Sequence, residues 1–199
     1  MKRYLRTLLF LIFSVSGISS LMAQYTSEEG TYTDLKIAIE NKSKVKHLNL
    51  SGQKLKKVPK EVFEFYNLET LDISRNKIEK FPVELTKMKK LTEIDFSANK
   101  LDELPKEIGE MKRLQKINLF RNKIWKIPPE LGNLVKLEYL NLSGNPIFRL
   151  PDELKNCTSL RFMDLRNTDM TEADRNAVKD SFPGVEIYFT GGCNCGPNN

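Results

Sequence analysis

Two aspartates, Asp72 and Asp95, have a spacing similar to that of a catalytic carboxylate pair. They stand at the same place in two successive copies of a repeated pattern, and should lie about 5 Å apart on neighbouring strands. Carboxyl groups at such a separation occur in glycosidases. Asp or Asn returns at this place in every copy, however, and an open sheet leaves both carboxyl groups in water. A carboxylate-based hydrolase is therefore the least favoured of three functions.

Other catalytic arrangements lack their components. His47 is the only histidine, so no Ser-His-Asp, Cys-His or multi-histidine metal site can be assembled. The sequence has no phosphate-binding loop and no dinucleotide-binding glycine motif. We predict that the protein is not an enzyme and has no catalytic residues, no cofactor and no metal.

The elements that must position the side chains come from a 23-residue repeat. Its order is apolar-x-x-apolar-x-apolar-x-x-polar-x-apolar, and the six copies begin at Val45, Leu68, Leu91, Leu114, Leu137 and Leu160. The ninth position reads Gln53, Asn76, Asn99, Asn122, Asn145 and Thr168. Five copies continue with an apolar residue, Pro, any residue, Glu and an apolar residue. A fixed period of this length is typical of stacked repeat proteins.

This pattern resembles the leucine-rich repeat family over about residues 45–170, and its Leu-Pro-x-Glu-apolar form is similar to the short 23-residue subclass of bacterial and Ras-pathway proteins. The resemblance implies an α/β solenoid, a right-handed superhelix with a curved parallel β-sheet on its concave face and a cap at each end. With the export signal described below, the chain is identified as an exported, bacterial-type member. Function follows only by analogy, since this scaffold hosts many partners.

The repeat also predicts which positions are buried. Positions 1, 4, 6, 11, 14, 18 and 21 of each copy are apolar and should fill the interior, while positions 3, 5 and 7 should line the concave face. The ninth-position Asn should bond backbone groups where the chain turns, and the proline should end the strand-like path. No copy can bury its apolar face alone, so stability must come from stacking.

The flanking segments complete the predicted organisation. Residues 1–23 are a signal peptide that is removed, residues 24–44 an N-terminal cap with a short helix over 33–41, and residues 45–170 the six repeats. Residues 171–190 are a C-terminal cap with a helix, which begins at a Thr171-x-x-Asp174 capping box, and a closing strand over 185–189. Residues 191–199 are a flexible tail rich in Gly and Cys.

Export is predicted from the segment 1–23. Lys2, Arg3 and Arg6 precede an apolar stretch over 8–15, and Ala23 is the small residue before the expected cleavage. Serines interrupt the apolar run, so a retained membrane anchor is the weaker alternative. The protein should reach the periplasm, the cell surface or the medium, with no integral membrane association after cleavage. Loss of these three positive charges lowers the formal net charge from +6 to +3.

The remaining positive charge does not indicate a nucleic-acid partner. A basic edge is formed by Lys89, Lys90, Lys112, Arg113 and Lys136. A column of glutamates at position 17 offsets this edge, and no aromatic residues are interleaved with it. We interpret the edge as a solvated surface.

The binding site should lie toward the C-terminal copies of the concave face. The first half of this face is small, polar and mildly acidic, whereas the second half carries Phe120, Arg121, Tyr139, Phe162 and Arg166. Aromatic and Arg side chains dominate the hot spots of protein–protein interfaces. We predict these five as the partner-binding residues. The alternative is that the closing strand or the tail packs over Phe162.

A second patch is predicted on the turn side of the solenoid. Position 12 is polar in the other copies and becomes Trp125 and Phe148 in two adjacent ones. Neighbouring exposed aromatic residues could form an interaction patch. Mutual packing that stiffens this edge is the alternative.

A protein partner is the favoured function, and a cell-envelope glycan stacked on Tyr139 and Phe162 is the runner-up. Six strands project a face of about 24 by 16 Å, or about 400 Å², against about 800 Å² per partner in a standard interface. This area predicts a partner of modest affinity, a partner that also contacts the rim near Trp125, or weak self-association.

The three cysteines divide between the interior and the tail. Cys157 falls at position 21 and should be a buried apolar residue. Cys193 and Cys195 lie in the Gly-rich tail, where either could pair with the other, with a second copy or with a partner.

Overall fold

The computed structural model describes residues 29–190, which form eight short parallel strands joined in chain order into one sheet. The strands are β1 Thr31–Tyr32, β2 His47–Asn49, β3 Thr70–Asp72, β4 Glu93–Asp95, β5 Lys116–Asn118, β6 Tyr139–Asn141, β7 Phe162–Asp164 and β8 Glu186–Tyr188. The predicted signal peptide at residues 1–23 and the tail with Cys193 and Cys195 lie outside the described residues.

Between strands the chain returns through short helices. Five copies contain a 3-10 helix directly after the repeat proline: Lys60–Glu64, Val83–Lys87, Lys106–Glu110, Pro129–Asn133 and Asp152–Asn156. Proline suits this place because its fixed φ is compatible with the start of a helix, where its missing N–H is not needed. A further 3-10 turn spans Lys42–Lys44. The sheet on one side and these helices on the other form the predicted α/β solenoid.

The core fills the space between the sheet and the 3-10 helices. Repeat positions 1, 4, 6 and 18 are buried in every copy that has them, and positions 11, 14 and 21 are buried with the exceptions of Leu55 and Met88, which are half-buried. The strands pair in the register of the repeat, so that His47 lies opposite Thr70, and Tyr139 opposite Phe162. The interior positions predicted from the period are therefore confirmed.

The ninth-position asparagines form a continuous ladder of buried hydrogen bonds along the solenoid. In Asn99, the amide nitrogen donates to the carbonyl oxygens of Ile73 and Phe96 at 2.9 and 3.0 Å, and the amide oxygen accepts from the backbone N–H of Ile78. Asn76, Asn122 and Asn145 repeat this arrangement. The predicted role at the turn is confirmed, and each Asn also links its own copy to the preceding one.

A left-handed backbone follows every strand of the repeat. Position 8 has positive φ in all six copies, where it is Gly52, Arg75, Ala98, Arg121, Gly144 and Asn167. Glycine adopts this conformation without strain, whereas an L side chain there costs about 1 kcal/mol or more. The arginines at this position are therefore held at an energetic cost that the glycines avoid.

The two ends differ in detail from the sequence-based expectation. The first helix, α1, is Leu35–Glu40, capped by the Asp34 side chain, rather than 33–41. The second, α2, is Glu172–Ser181 and has the Thr171–Asp174 capping box. The closing strand is Glu186–Tyr188 rather than 185–189. Strand β1 was not predicted: the interval between its start and that of β2 is shorter than the period of the repeat, although Tyr32 is buried opposite Leu48.

Cys157 is buried in the core, as predicted. Its Sγ lies 3.4 Å from the carbonyl oxygen of Leu131. Burial raises the pKa of this thiol to about 11, from an ordinary value of 9.0. The Cys157 thiol loses its proton at a lower pH in the unfolded chain than in the folded one. The free energy of unfolding should therefore fall as the pH rises from about 9 to 11.

The raised pKa predicts slow thiol chemistry. In a Cys193→Ser/Cys195→Ser variant, Cys157 should react with Ellman's reagent at pH 8 about 100-fold more slowly in the folded protein than in denaturant. The thiolate is the reacting form, and a thiol pKa raised from 9.0 to about 11 lowers the thiolate fraction by that factor. Absorbance of the released thiol product measures both rates. Equal rates would contradict the burial of Cys157.

Candidate functional site

Three aromatic side chains form a row across the last three strands, on the face of the sheet away from the core. The rings of Tyr139 and Phe162 are stacked with centroids 4.7 Å apart and planes within 2°. Tyr188 on β8 continues the row, with its centroid 5.3 Å from that of Phe162 and a tilt of 40°. We call these three residues the aromatic row. All three are half-buried, so they offer ring surface to solvent while holding one another in place.

Arg166 lies at the end of the aromatic row and is fixed there. Its guanidinium binds the buried Asp164 through both carboxylate oxygens, with Nη2 at 2.6 Å and Nε at 3.0 Å. This hydrogen-bonded partner raises the pKa of Arg166 above its usual value. Its guanidinium carbon also lies 5.6 Å from the centroid of Tyr188. Arg166 therefore supports the row, and its charge is largely satisfied within the chain.

Phe120 and Arg121 form a separate unit, the rim pair. The guanidinium carbon of Arg121 lies 4.9 Å from the centroid of the Phe120 ring, a cation–π contact. Phe120 stands at position 7 of its copy and Tyr139 at position 3 of the next, so the two lie about 13 Å apart along the strand direction. The five predicted site residues thus divide into two groups: Tyr139, Phe162 and Arg166 with Tyr188, and the rim pair.

Tyr188 belongs to the site but was not predicted for it. The sequence places it in the closing strand, where the 23-residue period no longer gives its register. Its alignment opposite Asp164 brings it beside Phe162. The predicted alternative, packing by the closing strand, is thus partly realised, since β8 packs beside Phe162 and leaves it half-buried.

The acidic column has a structural role that accounts for its recurrence. At position 5, a side-chain oxygen of Asp or Asn accepts the backbone N–H two residues later in all six copies: Asn49, Asp72, Asp95, Asn118, Asn141 and Asp164. The second oxygen of Asp95 accepts from the Asn118 amide at 2.8 Å. These are turns that end each strand, and they occupy carboxylate oxygens that a hydrolase would need.

A shallow depression occupies the middle of the concave face. Its volume is about 520 Å³, and its wall includes Asp72, Asp95, Glu93, Lys116 and Tyr139. Lys116 donates to Glu93 at 2.8 Å, and this hydrogen bond raises the pKa of the lysine. The depression joins the aromatic row at Tyr139, so the site continues from aromatic to acidic and polar surface.

The second predicted patch is exposed. Trp125 and Phe148 have 56% and 59% of their surface accessible, and between residues 29 and 190 neither makes a ring contact with the other. The two rings are therefore exposed and not stacked on each other. Both line a groove of about 300 Å³ with Ile127, Pro129 and Pro151. Its use as a binding site stays a prediction.

Within the described residues, no group of three His, Cys, Asp or Glu side chains is placed to hold a metal ion. Over the same stretch, from 29 to 190, no helix has the length and apolar character that a membrane crossing requires.

Comparison with known proteins identifies the family. A family model described as a leucine-rich repeat region matches residues 26–127, and a second, described as a leucine rich repeat, matches residues 112–170. The chain belongs to the leucine-rich repeat family. No curated protein matches it.

Two solved structures are similar to the chain. A leucine-rich repeat protein of Leptospira interrogans is 28% identical, with a TM-score of 0.66, over 76% of this chain and 45% of that one. The leucine-rich repeat ectodomain of the plant membrane receptor kinase GASSHO1/SCHENGEN3 from Arabidopsis thaliana, in complex with CASPARIAN STRIP INTEGRITY FACTOR 2, is 26% identical, with a TM-score of 0.64, over 80% of this chain and 19% of that one. The chain spans less than half the length of either structure.

Family membership carries a general function. Leucine-rich repeat domains generally mediate protein–protein interaction, and the family is typically non-enzymatic.

Proposed function

We propose that this protein is an exported, non-enzymatic binding module that holds a protein partner on its concave face. The observation that carries the proposal is the aromatic row: three half-buried rings that contact one another on the solvent side of the sheet. Ordered aromatic side chains give large contact area at small entropic cost. The related Arabidopsis ectodomain, seen in complex with CASPARIAN STRIP INTEGRITY FACTOR 2, supports a protein partner by analogy.

The area of the face sets the expected affinity. Eight strands project about 34 by 16 Å, or about 540 Å², which is more than six strands would give but still below about 800 Å² per partner. We infer a partner of modest affinity, unless the Trp125 groove adds contact. Weak self-association through the same face is a second use of this area.

A glycan partner receives less support from the geometry. Sugars stack on free ring faces, whereas Phe162 lies between Tyr139 and Tyr188 on the neighbouring strands. The row therefore offers mostly ring edges. Binding of the wild type to a cell-envelope glycan array, lost in the site variant described next, would favour a glycan partner over a protein one.

The test compares three proteins in affinity capture from cell-envelope extracts. The Phe120→Ala/Tyr139→Ala/Phe162→Ala variant should lose at least about 90% of the partner that the wild type recovers, because hot-spot aromatics each contribute about 1 kcal/mol or more. A Trp125→Ala/Phe148→Ala variant removes exposed aromatic surface from the second patch, and should lose less of the partner than the triple variant does. Thermal melting checks that all three are folded.

Equal recovery by the triple variant and the wild type would contradict the concave-face site. Loss confined to the Trp125→Ala/Phe148→Ala variant would move the site to the groove.

Export is tested separately: mass spectrometry of the protein from a cell-envelope or culture fraction should find an N-terminus at Gln24, whereas an intact Met1 in the cytoplasm would contradict it.

A further inference from the structure

Arg121 combines a strained backbone with an ordered side chain. Its φ is +53°, at a position where two other copies of the repeat use glycine. Residues held in such a conformation by their surroundings often serve a function that offsets the strain. The side chain of Arg121 is therefore the candidate for such a function.

The surroundings of Arg121 fix its guanidinium at the edge of the concave face. Gly144 follows on the next copy, and a Cβ atom placed there would lie 3.3 Å from the Arg121 Cγ, so the aliphatic part of the arginine runs close across the glycine. The guanidinium carbon then lies 4.9 Å from the centroid of Phe120. The backbone N–H of Arg121 donates to the carbonyl oxygen of Ser143 at 2.9 Å, so backbone, aliphatic stem and guanidinium each lie against a different neighbour.

The guanidinium of Arg121 is nevertheless unpaired within the described part of the chain. It makes no ion pair and no hydrogen bond there, whereas Arg166 is bound by both oxygens of Asp164. Arg121 is also exposed. Five N–H donors in a planar fork, ordered in advance and free of an internal acceptor, match the two oxygens of a carboxylate.

We propose that Arg121 binds a carboxylate side chain, Asp or Glu, of the protein partner, and that an apolar side chain about four residues away in the same extended segment packs on the aromatic row. The spacing follows from the distance of about 13 Å between the rim pair and Tyr139, since an extended chain advances about 3.3 Å per residue. This inference rests on the proposed function, because it names the chemistry that the same site would recognise.

The experiment selects random dodecapeptides displayed on phage against the immobilised wild-type protein. Bound phage are eluted by an excess of soluble wild-type protein, and the recovered sequences are aligned. Peptides that bind should be enriched in Asp or Glu placed about three to five residues from an aromatic or large aliphatic residue. The best peptide is then synthesised with its acid and with the matching amide, and both are measured by fluorescence anisotropy.

The decisive comparison is a double-mutant cycle between the peptide acid and Arg121. Changing the acid to its amide should weaken binding to the wild type by about tenfold to a hundredfold, the range for a hydrogen-bonded charge pair. Arg121→Gly should weaken binding of the acidic peptide by a similar factor. The amide and acidic peptides should bind Arg121→Gly within about twofold of each other.

Arg75→Gly is the matched control. Arg75 has the same repeat position, positive φ and exposure, two copies from Arg121 and about 10 Å farther along the sheet. Both substitutions relieve the same strain, so neither variant should melt below the wild type. Affinity of the acidic peptide for Arg75→Gly should stay within about twofold of the wild type.

The outcomes separate the two proposals. Peptides that lose affinity in the Phe120→Ala/Tyr139→Ala/Phe162→Ala variant but show no coupling to Arg121 would overturn the carboxylate inference and leave the concave-face function standing. Equal losses in Arg75→Gly and Arg121→Gly would overturn it too, since general charge attraction would then suffice. If every recovered peptide binds the triple variant as tightly as it binds the wild type, both the carboxylate inference and the concave-face function are contradicted.

Discussion

Replacing Asn145 with alanine is expected to lower the free energy of unfolding by about 2–6 kcal/mol. Asn145 is 1% exposed. Its amide nitrogen donates to the carbonyl oxygens of Leu119 and Leu142, each at 2.9 Å, and its amide oxygen accepts from the backbone N–H of Ile124 at 3.1 Å. An alanine would leave these buried groups without that partner, and each such group costs about 1–3 kcal/mol.

Asn145 is the last asparagine of the ladder, and this position makes its loss more costly in stability. The carbonyl oxygens of Ile73, Phe96 and Leu119 each accept from two asparagines, so the loss of one asparagine leaves them another. Within the described residues the Leu142 carbonyl oxygen has no second asparagine donor, because the sixth copy has Thr168, which donates to Leu165. Asn145→Ala therefore removes two partners that are not replaced, those of Leu142 and Ile124.

Gln53→Ala is the matched control, since Gln53 has the same repeat position in the first copy. Its side chain is exposed and makes one long hydrogen bond, 3.4 Å to the Thr33 carbonyl oxygen. Its loss should change stability by no more than about 0.5 kcal/mol. Asn145→Asp, which keeps the acceptor but lacks the donors, should be destabilised like alanine. Urea denaturation followed by circular dichroism measures all three; if Asn145→Ala costs no more than Gln53→Ala, the ladder contributes little.

Gly132→Ala is expected to destabilise the protein by about 2–4 kcal/mol. A Cβ atom at Gly132 would lie 2.0 Å from the carbonyl oxygen of Glu153 in the next copy. That oxygen belongs to the backbone, so relief requires two neighbouring copies to move apart. At an uncrowded helical position the same substitution would stabilise the protein by about 0.4–1 kcal/mol, because alanine lowers the conformational entropy of the unfolded chain. The sign of the measured change therefore shows whether the contact is present.

Lys155→Ala provides the comparison for Gly132. Lys155 holds the same position in the following copy and is exposed. Among the described residues its Nζ pairs only with Asp152, at 3.2 Å from a carboxylate oxygen. Such a pair contributes little, so stability should change by about 0.5 kcal/mol or less. Thermal melting of both variants checks the contrast. A Gly132→Ala protein as stable as the wild type would mean that the copies are not packed this closely.

The repeated part of the molecule follows from the sequence because each copy supports the same interpretation. Positions that recur once in every copy must occupy equivalent environments, so the period alone predicts the buried column that contains Cys157 and the turn role of Asn99. The same logic identified Asp72 and Asp95 as ordinary members of a column rather than a catalytic pair. Strand pairing in register with the repeat then places Tyr139 beside Phe162.

The ends and the charge pairing could not be predicted in this way. The register of β1 and of Tyr188 depends on the packing of segments outside the period, and it is set by long-range contacts that leave no local pattern. Arg121 and Arg166 look alike in the sequence, yet Asp164 binds only Arg166. Arg166 stands at position 7, two residues after Asp164 of its own copy. Arg121 stands at position 8, where the backbone has positive φ, and the position-5 residue of its copy is the uncharged Asn118.

Glycines within two of the 3-10 helices affect the entropic cost of binding a partner. Gly109 and Gly132 let the backbone of one copy rest against that of the next, where Cβ atoms would lie 2.4 and 2.0 Å from the carbonyl oxygens of Glu130 and Glu153. These contacts join the third, fourth and fifth copies, which include the rim pair and Tyr139. Backbone in direct contact has little freedom to shear, so this half of the candidate surface is already ordered before a partner arrives. Binding at this surface therefore costs less conformational entropy than binding to a flexible sheet would. The smaller cost compensates in part for the small area of the face.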